Sequence, residues 1–247
     1  AVLFRMNTIT EGQETVQLQF PEDRIINELV ATGDKLRLHG TNMDVVWEEA
    51  GAHRSLVIWH PMNMRFEGDE TTLSGSTQAP DGPWRSETGE IVWDNRDSLQ
   101  ADFRINAPAA KAAIGYIGGK TIDLDRVTLA MDTIPGNWAT ITLTSLDGKA
   151  IEESSVMLLV AAGRAENTGM DWNEEKTTVG ANWGSGPVRA EGIPVKVMLK
   201  EMPDLSAYVL DPNGNATGEI MVDRQGDAQV LHLGAQYRTL WYLLLRE

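Results

Sequence analysis

At 247 residues and 42% hydrophobic composition, the chain can fill a real core, either as one large all-β domain or as two smaller ones. Its 21 basic against 36 acidic residues leave a net charge of −15, which repels phosphate backbones and argues against nucleic acid as a partner. Anionic lipid surfaces are disfavoured for the same reason, whereas a neutral polysaccharide or oligosaccharide is compatible with this charge. With no cysteine, the chain has no disulfide, no thiolate nucleophile and no cysteine zinc site, and its compartment stays open.

The N-terminus, "AVLFRMNTIT", lacks the charged, apolar and small-residue regions of a signal peptide, so the chain reads as mature or as excised from something longer. No run approaches the roughly 18 apolar residues needed to span a bilayer, and no membrane partner is expected. The first strand is "TVQLQF", whose alternation buries Val16, Leu18 and Phe20. Next comes the one convincing helix, "PEDRIINELV", with Pro21 at its start, Glu22 and Asp23 in its first turn, and Ile25, Ile26, Leu29 and Val30 on one face. Further strands are expected around "KLRLHG", "DVVWEE" and "SLVIWHP".

A stretch rich in Ser, Gly, Pro and Thr, "SGSTQAPDGPWRSETGE", is the best candidate boundary. It suggests an N-terminal β segment over residues 1–84, carrying the helix and packing on a main domain over residues 85–247. In the latter, "SLQADFRINAP" alternates Leu99, Ala101, Phe103 and Ile105 with polar residues. The glycines of "GYIGGK" suit a turn between two strands better than a phosphate loop, whose spacing they lack. "WATITLTSLDGKAIEES" sets Ile141 and Leu143 between threonines and is expected to turn at Asp147-Gly148, a favoured hairpin dipeptide. "IPVKVMLKEMP", "GEIMVD", "AQVLHLG" and "YRTLWYLLLRE" carry the pattern to the C-terminus. The expected fold is all-β, a β-sandwich-like assembly of antiparallel sheets with one short helix near the N-terminus.

Catalytic motifs are sparse. The histidines, His39, His53, His60 and His232, lack the close spacing of metal ligands, and no metal is expected there. Calcium is compatible with the oxygen-rich loop around residue 171, although no EF-hand pattern supports it, and no cofactor is implied. Glycoside hydrolysis needs two carboxyl groups facing across a cleft. Glu166, Asp171, Glu174 and Glu175 offer carboxyls in one loop, but a perturbed catalytic acid needs burial that such polar loops seldom provide.

The tryptophans say more. "GRAENTGMDWNEEKTTVGANWGSGP", residues 163–187, holds two of the eight tryptophans among acids, amides and glycines. A sugar ring presents an apolar face that stacks on indole and hydroxyls that suit planar polar side chains. Trp172 and Trp183 are therefore candidate stacking rings, with Asn167, Asp171, Asn173 and Glu174 as hydrogen-bond partners, and Trp84 is a third loop candidate. The competing reading is that tryptophans in a β-domain mostly pack, and Trp138 and Trp241, within strand patterns, are assigned to the core. Arg164 and Glu166, after the apolar run "VMLLVAAG", are read as structural, either a buried ion pair or partners for loop backbone carbonyls and amides, ahead of ligand contact.

Several segments, "RSETGEIVWDN", "AAKAAIGYIGG", "VMLLVAAGRAENTGMDWNEEKTTVGANWGSGPVRAEGIPVKVML" and "YVLDPNGNATGEIMVDRQGDAQVLHLGAQYRTLWY", together resemble the C-terminal β-rich accessory region of large bacterial (β/α)-barrel glycoside hydrolases. The resemblance covers nearly the whole chain and is most specific over residues 155–200. It implies a secreted, extracellular or periplasmic setting and a catalytic barrel as partner. That barrel, some 200 or more residues of strand-helix units, is missing from a chain that already reads as all-β, so no catalytic acid carries over. Three readings follow. The first is a non-catalytic carbohydrate-binding or accessory module of a polysaccharide-degrading enzyme. The second is a structural β-domain that packs on a barrel or mediates oligomerisation, and the third is a stand-alone β-fold glycosidase.

Overall fold

A computed structural model describes residues 8–21, 23, 56–75, 82–174 and 178–246 of the chain. The described chain is nearly all β, made of several sheets in which antiparallel pairing dominates, in a sandwich-like fold. It divides into two compact units, one of Ala1–Ile9 with Asp97–Glu247 and one of Thr10–Arg96. The division in sequence thus falls at Arg96 and Asp97.

In the unit Thr10–Arg96, strand β1 (Val16–Phe20) turns Val16, Leu18 and Phe20 inward, each at most 1% exposed, as its alternation requires. It pairs in parallel with β2 (Met62–Phe66) and antiparallel with β3 (Thr72–Ser74). The strand expected at "SLVIWHP" is instead a single helical turn, α1 (Leu56–Trp59), closed by His60 N–H donating to the Leu56 carbonyl at 3.1 Å. A short apolar run has no period of its own to separate strand from helix, which is why the sequence misleads there. Strands β4 (Trp84–Arg85) and β5 (Ile91–Asp94) form a hairpin that places Trp84 opposite Trp93. The two indoles meet edge to face, centroids 5.1 Å apart, and Trp84 is buried against Leu56. Trp84 is therefore a core residue and not a loop platform. The helix expected over 21–30 lies outside the described residues beyond Pro21 and Asp23, as do the strands expected at "KLRLHG" and "DVVWEE".

The other unit begins its strands with β6 (Asp102–Ala107) and β7 (Ala110–Gly115), followed by β8 (Thr121–Leu124) and β9 (Val127–Met131). Then come β10 (Ala139–Ser145), β11 (Val156–Ala162) and the hairpin β12 (Ala165–Thr168) and β13 (Ser185–Ala190). The chain closes with β14 (Val195–Lys200), β15 (Leu205–Leu210), β16 (Ala216–Ile220), β17 (Asp223–Gln225), β18 (Ala228–Leu233) and β19 (Trp241–Arg246). Strands β16, β15, β19, β11, β10, β7 and β6 are neighbours in that order in one sheet, and β17, β18, β14, β9 and β8 form a second. The chain alternates between the sheets in short excursions, and the glycines of "GYIGGK" make one such crossing from β7 to β8, with Gly115 and Gly119 at positive φ.

The core lies between these sheets. Ile141 and Leu143 from β10, Met157 and Leu159 from β11, and Tyr242 and Leu244 from β19 meet Leu129 from β9, Val197 and Leu199 from β14 and Leu231 from β18. In β14 the order Val-Lys-Val-Met-Leu-Lys puts every second residue inside, so one face excludes water while lysines keep the other solvated. A second small cluster, Ile105, Ala107, Ala110 and Ala112 with Ile9 and Phe103, includes the residues of β7 that point away from Ala113 and the main core.

Two strand ends differ from expectation. Leu99 is 71% exposed, and β6 starts only at Asp102, whose carboxyl is buried. Arg104 Nε at 2.6 Å and Lys120 Nζ at 3.0 Å satisfy that carboxyl, which is what lets a charge occupy the site. Asp147-Gly148 is not a two-residue hairpin but part of a longer connection between β10 and β11. Asp147 organises it by accepting from the Ser155 backbone N–H and from the hydroxyls of Ser145, Ser154 and Ser155.

Candidate functional site

The hairpin β12–β13 carries the tryptophan-rich loop. Its register pairs Glu166 with Arg189 and Asn167 with Val188, and slips between Asn167 and Thr168. Asp171 N–H donates to the Asn182 carbonyl at 3.1 Å, and Asn182 N–H to the Val179 carbonyl at 2.8 Å. These bonds bring the backbone beside Trp172 and Trp183 together across the loop, although eleven positions separate the two residues in sequence. Gly184 makes the closure feasible: at φ 65° it sits so tightly that a Cβ there would lie 2.5 Å from both Met170 N and the Thr168 carbonyl oxygen.

Both candidate rings are open to solvent, Trp172 at 38% and Trp183 at 62% exposure. Trp172 is anchored by its polar edge, Nε1 donating to Glu166 Oε1 at 3.0 Å, and Arg164 Nε lies 3.0 Å from the same oxygen as its ion-pair partner. The Arg164–Glu166 pair expected from the sequence is thus present, but it is half exposed and serves to orient an indole. Asn167 donates from Nδ2 to the Trp183 carbonyl at 2.9 Å, and Asn173 Oδ1 accepts from Thr178 N–H at 3.1 Å. These amides hold the loop, while Asp171 and Glu174 stand exposed. Glu175 lies outside the described residues.

A second feature escaped the sequence reading. Trp138 and Trp241, assigned there to the core, are 41% and 37% exposed. The phase of the alternation explains it: with Ala139, Ile141 and Leu143 inside, Trp138 falls outside, and with Tyr242 and Leu244 inside, Trp241 does too. Counting back from the buried residues would have found both.

Trp241 lines an open groove of about 960 Å³, bounded by β13, the β15–β16 turn, the 3₁₀ turn Ala235–Tyr237 and the start of β19. Thr239 Oγ1 donates to the Leu210 carbonyl at 2.6 Å and accepts from Trp241 N–H at 3.1 Å, which ties the indole-bearing strand end to β15. Tyr237 leans edge to face on buried Tyr242, centroids 6.1 Å apart. Burial pushes the Tyr242 phenol up to about 12. Asp211 accepts from the Asn215 side chain and from the backbone N–H groups of Asn215 and Asn213, which hold its carboxyl below the ordinary range. Gly192 lets the β13–β14 connection pass close to the 3₁₀ turn, since a Cβ there would lie 2.6 Å from Ala235 Cα.

Among the described residues no group of three or more His, Asp or Glu side chains is placed to hold a metal ion, and no helix is long and apolar enough to cross a membrane. Comparison of the chain with models of protein families, with curated proteins and with solved structures found no match.

Proposed function

We propose that this chain is a non-catalytic carbohydrate-binding or accessory module of a polysaccharide-degrading enzyme, taking up glycan by aromatic stacking on the β12–β13 hairpin. The observation that carries this reading is the pair of exposed indoles, Trp172 and Trp183, on one loop braced by its own hydrogen bonds. A braced loop loses little entropy on binding, and Asp171 and Glu174 leave acceptors for sugar hydroxyls beside the rings. Binding at one such platform is weak, and attachment to an enzyme would raise the local substrate concentration.

The test is affinity electrophoresis and pull-down on a panel of soluble and insoluble neutral glycans, with Trp172→Ala and Trp183→Ala alongside. Retention on one glycan, reduced about tenfold or more by either substitution with the fold intact, is the expected result for stacking rings. A structural reading, in which the module packs on a barrel or another copy, draws support from exposed Val188 and Met221, at 64% and 78%. It predicts no glycan retention, and self-association or barrel binding that charged substitutions at Val188 or Met221 abolish.

A further inference from the structure

We infer that the groove beside Trp241 is a subsite for an anionic sugar, a ring with an apolar face and a carboxylate or sulfate substituent. This inference rests on the carbohydrate-binding reading above and adds a second site with a charge preference of its own. The groove combines an exposed indole, a tyrosine ring and two arginines, Arg189 and Arg238.

These two share with Arg85 and Arg246 the lack of a carboxylate ion pair among the described residues, and of the four they are the two that line this groove. Arg65, Arg96, Arg104, Arg126, Arg164 and Arg224 each pair with a carboxylate. Arg189 and Arg238 have no such partner among the described residues, in a protein whose net charge is −15 and whose acids outnumber its bases. The two candidate partners are already engaged. Glu166, directly across the strands from Arg189, is taken by Arg164 and Trp172. Asp211, in the lining, is turned to Asn213 and Asn215. Among the described residues the two guanidinium groups therefore share one groove without an ion-pair partner, the lining carboxylate Asp211 being engaged by Asn213 and Asn215.

Arg238 adds a second observation. It caps the 3₁₀ turn at φ 53°, ψ 32°, a left-handed position where glycine or asparagine costs least. Arg238 lines the groove from that position and brings a cation to it. The ligand chemistry follows from the pairing: an indole accepts the C–H face of a sugar ring, and a guanidinium fork matches a carboxylate or sulfate in two parallel hydrogen bonds. The Thr239 bonds fix the Trp241 backbone at the edge of the groove before the ligand arrives.

The experiment titrates the purified chain with three oligosaccharides, a polyuronate fragment, its carboxyl-reduced counterpart and a sulfated galactan fragment, following tryptophan fluorescence and calorimetry at low and raised salt. Arg238→Asn and Trp241→Ala are the variants, and thermal unfolding checks each fold. Asparagine tolerates the left-handed backbone, so Arg238→Asn is expected to keep the unfolding temperature. The expected result is that the uronate or the sulfated fragment binds about tenfold or more tighter than the uncharged one, weakens with salt, and is lost in both variants. Which of the two charged fragments binds tighter identifies the anion. Equal binding of charged and uncharged fragments, or charged binding that survives both variants, overturns this inference and leaves the carbohydrate-binding reading standing. Failure of all three fragments and of the whole neutral panel overturns both.

Discussion

Glu166 Oε1 accepts the Trp172 indole N–H at 3.0 Å and lies 3.0 Å from Arg164 Nε as its ion-pair partner. One acid on a two-stranded hairpin thereby fixes the edge of an indole whose face stays exposed. Removing it in Glu166→Ala is expected to cost the fold only about 0.5–1 kcal/mol, since the pair is half solvated. Trp172 is expected to become more accessible, read as stronger acrylamide quenching of its fluorescence. Any glycan retained by the hairpin should bind several-fold more weakly, and unchanged quenching together with unchanged retention would show that the carboxylate does not position the ring.

Gly184 is the tightest point of the loop. In Gly184→Ala the new methyl has backbone on two sides and a left-handed φ to hold, so a loss of about 2 kcal/mol or local opening of the hairpin is expected. Hydrogen exchange locates the change: the amides of β12 and β13 should lose protection while those of β10 and β11 keep theirs.

Leu159 and Leu99 make an opposed pair. Leu159 is fully buried between the sheets, and Leu159→Ala should lower unfolding free energy by about 2–5 kcal/mol in urea titrations. Leu99 is 71% exposed, and Leu99→Ala should stay within about 0.5 kcal/mol of the parent. A large loss at Leu99 would mean that it has a partner surface in the native molecule.

Asp147 and Tyr242 make pH-dependent contributions that are lost at opposite ends of the scale. Hydrogen bonds from the Ser155 backbone N–H first, then from the Ser145 hydroxyl and its neighbours, hold Asp147 well below its ordinary value of 3.8. The folded carboxylate is the weaker base, so its contribution is present at neutral pH and is lost as pH falls below the ordinary carboxylate range. Asp147→Asn should therefore lower stability at pH 7 and narrow the gap from the parent as the solution is acidified. Tyr242 works in the other sense: burial raises it from 10.0 to about 12, so its contribution is present below pH 10 and is lost as pH rises towards the folded value. Phenolate absorbance should show a late ionisation from Tyr242, and Tyr242→Phe should remove that late step.

Much of the fold could be read directly from residue order. The alternation in "TVQLQF", "IPVKVMLKEMP" and "YRTLWYLLLRE" was enough to name strands and the class, because one face of a half-buried strand must be apolar whatever its neighbours are. The same alternation assigns Trp241 to the core only when its phase is ignored, since counting back from Tyr242 and Leu244 puts it outside. "SLVIWHP" was ambiguous because it is too short to show a period, and Asp147-Gly148 misled because a turn dipeptide reports local backbone freedom and not the length of the connection around it.

What residue order determined by itself was therefore local: period-two strands, glycine-rich crossings, an acidic and cysteine-free composition, and a tryptophan-rich loop between residues 163 and 187. Only the tertiary structure decided which of two sheets each strand joins, that Trp84 packs against Trp93 while Trp241 opens onto a groove, and that Arg189 and Arg238 share that groove without a carboxylate partner among the described residues. The physical reason is that a strand's hydrophobic face is written every second residue along the chain. Its neighbours across the sheet, and the charge left unpaired at its end, depend on contacts with residues tens of positions away.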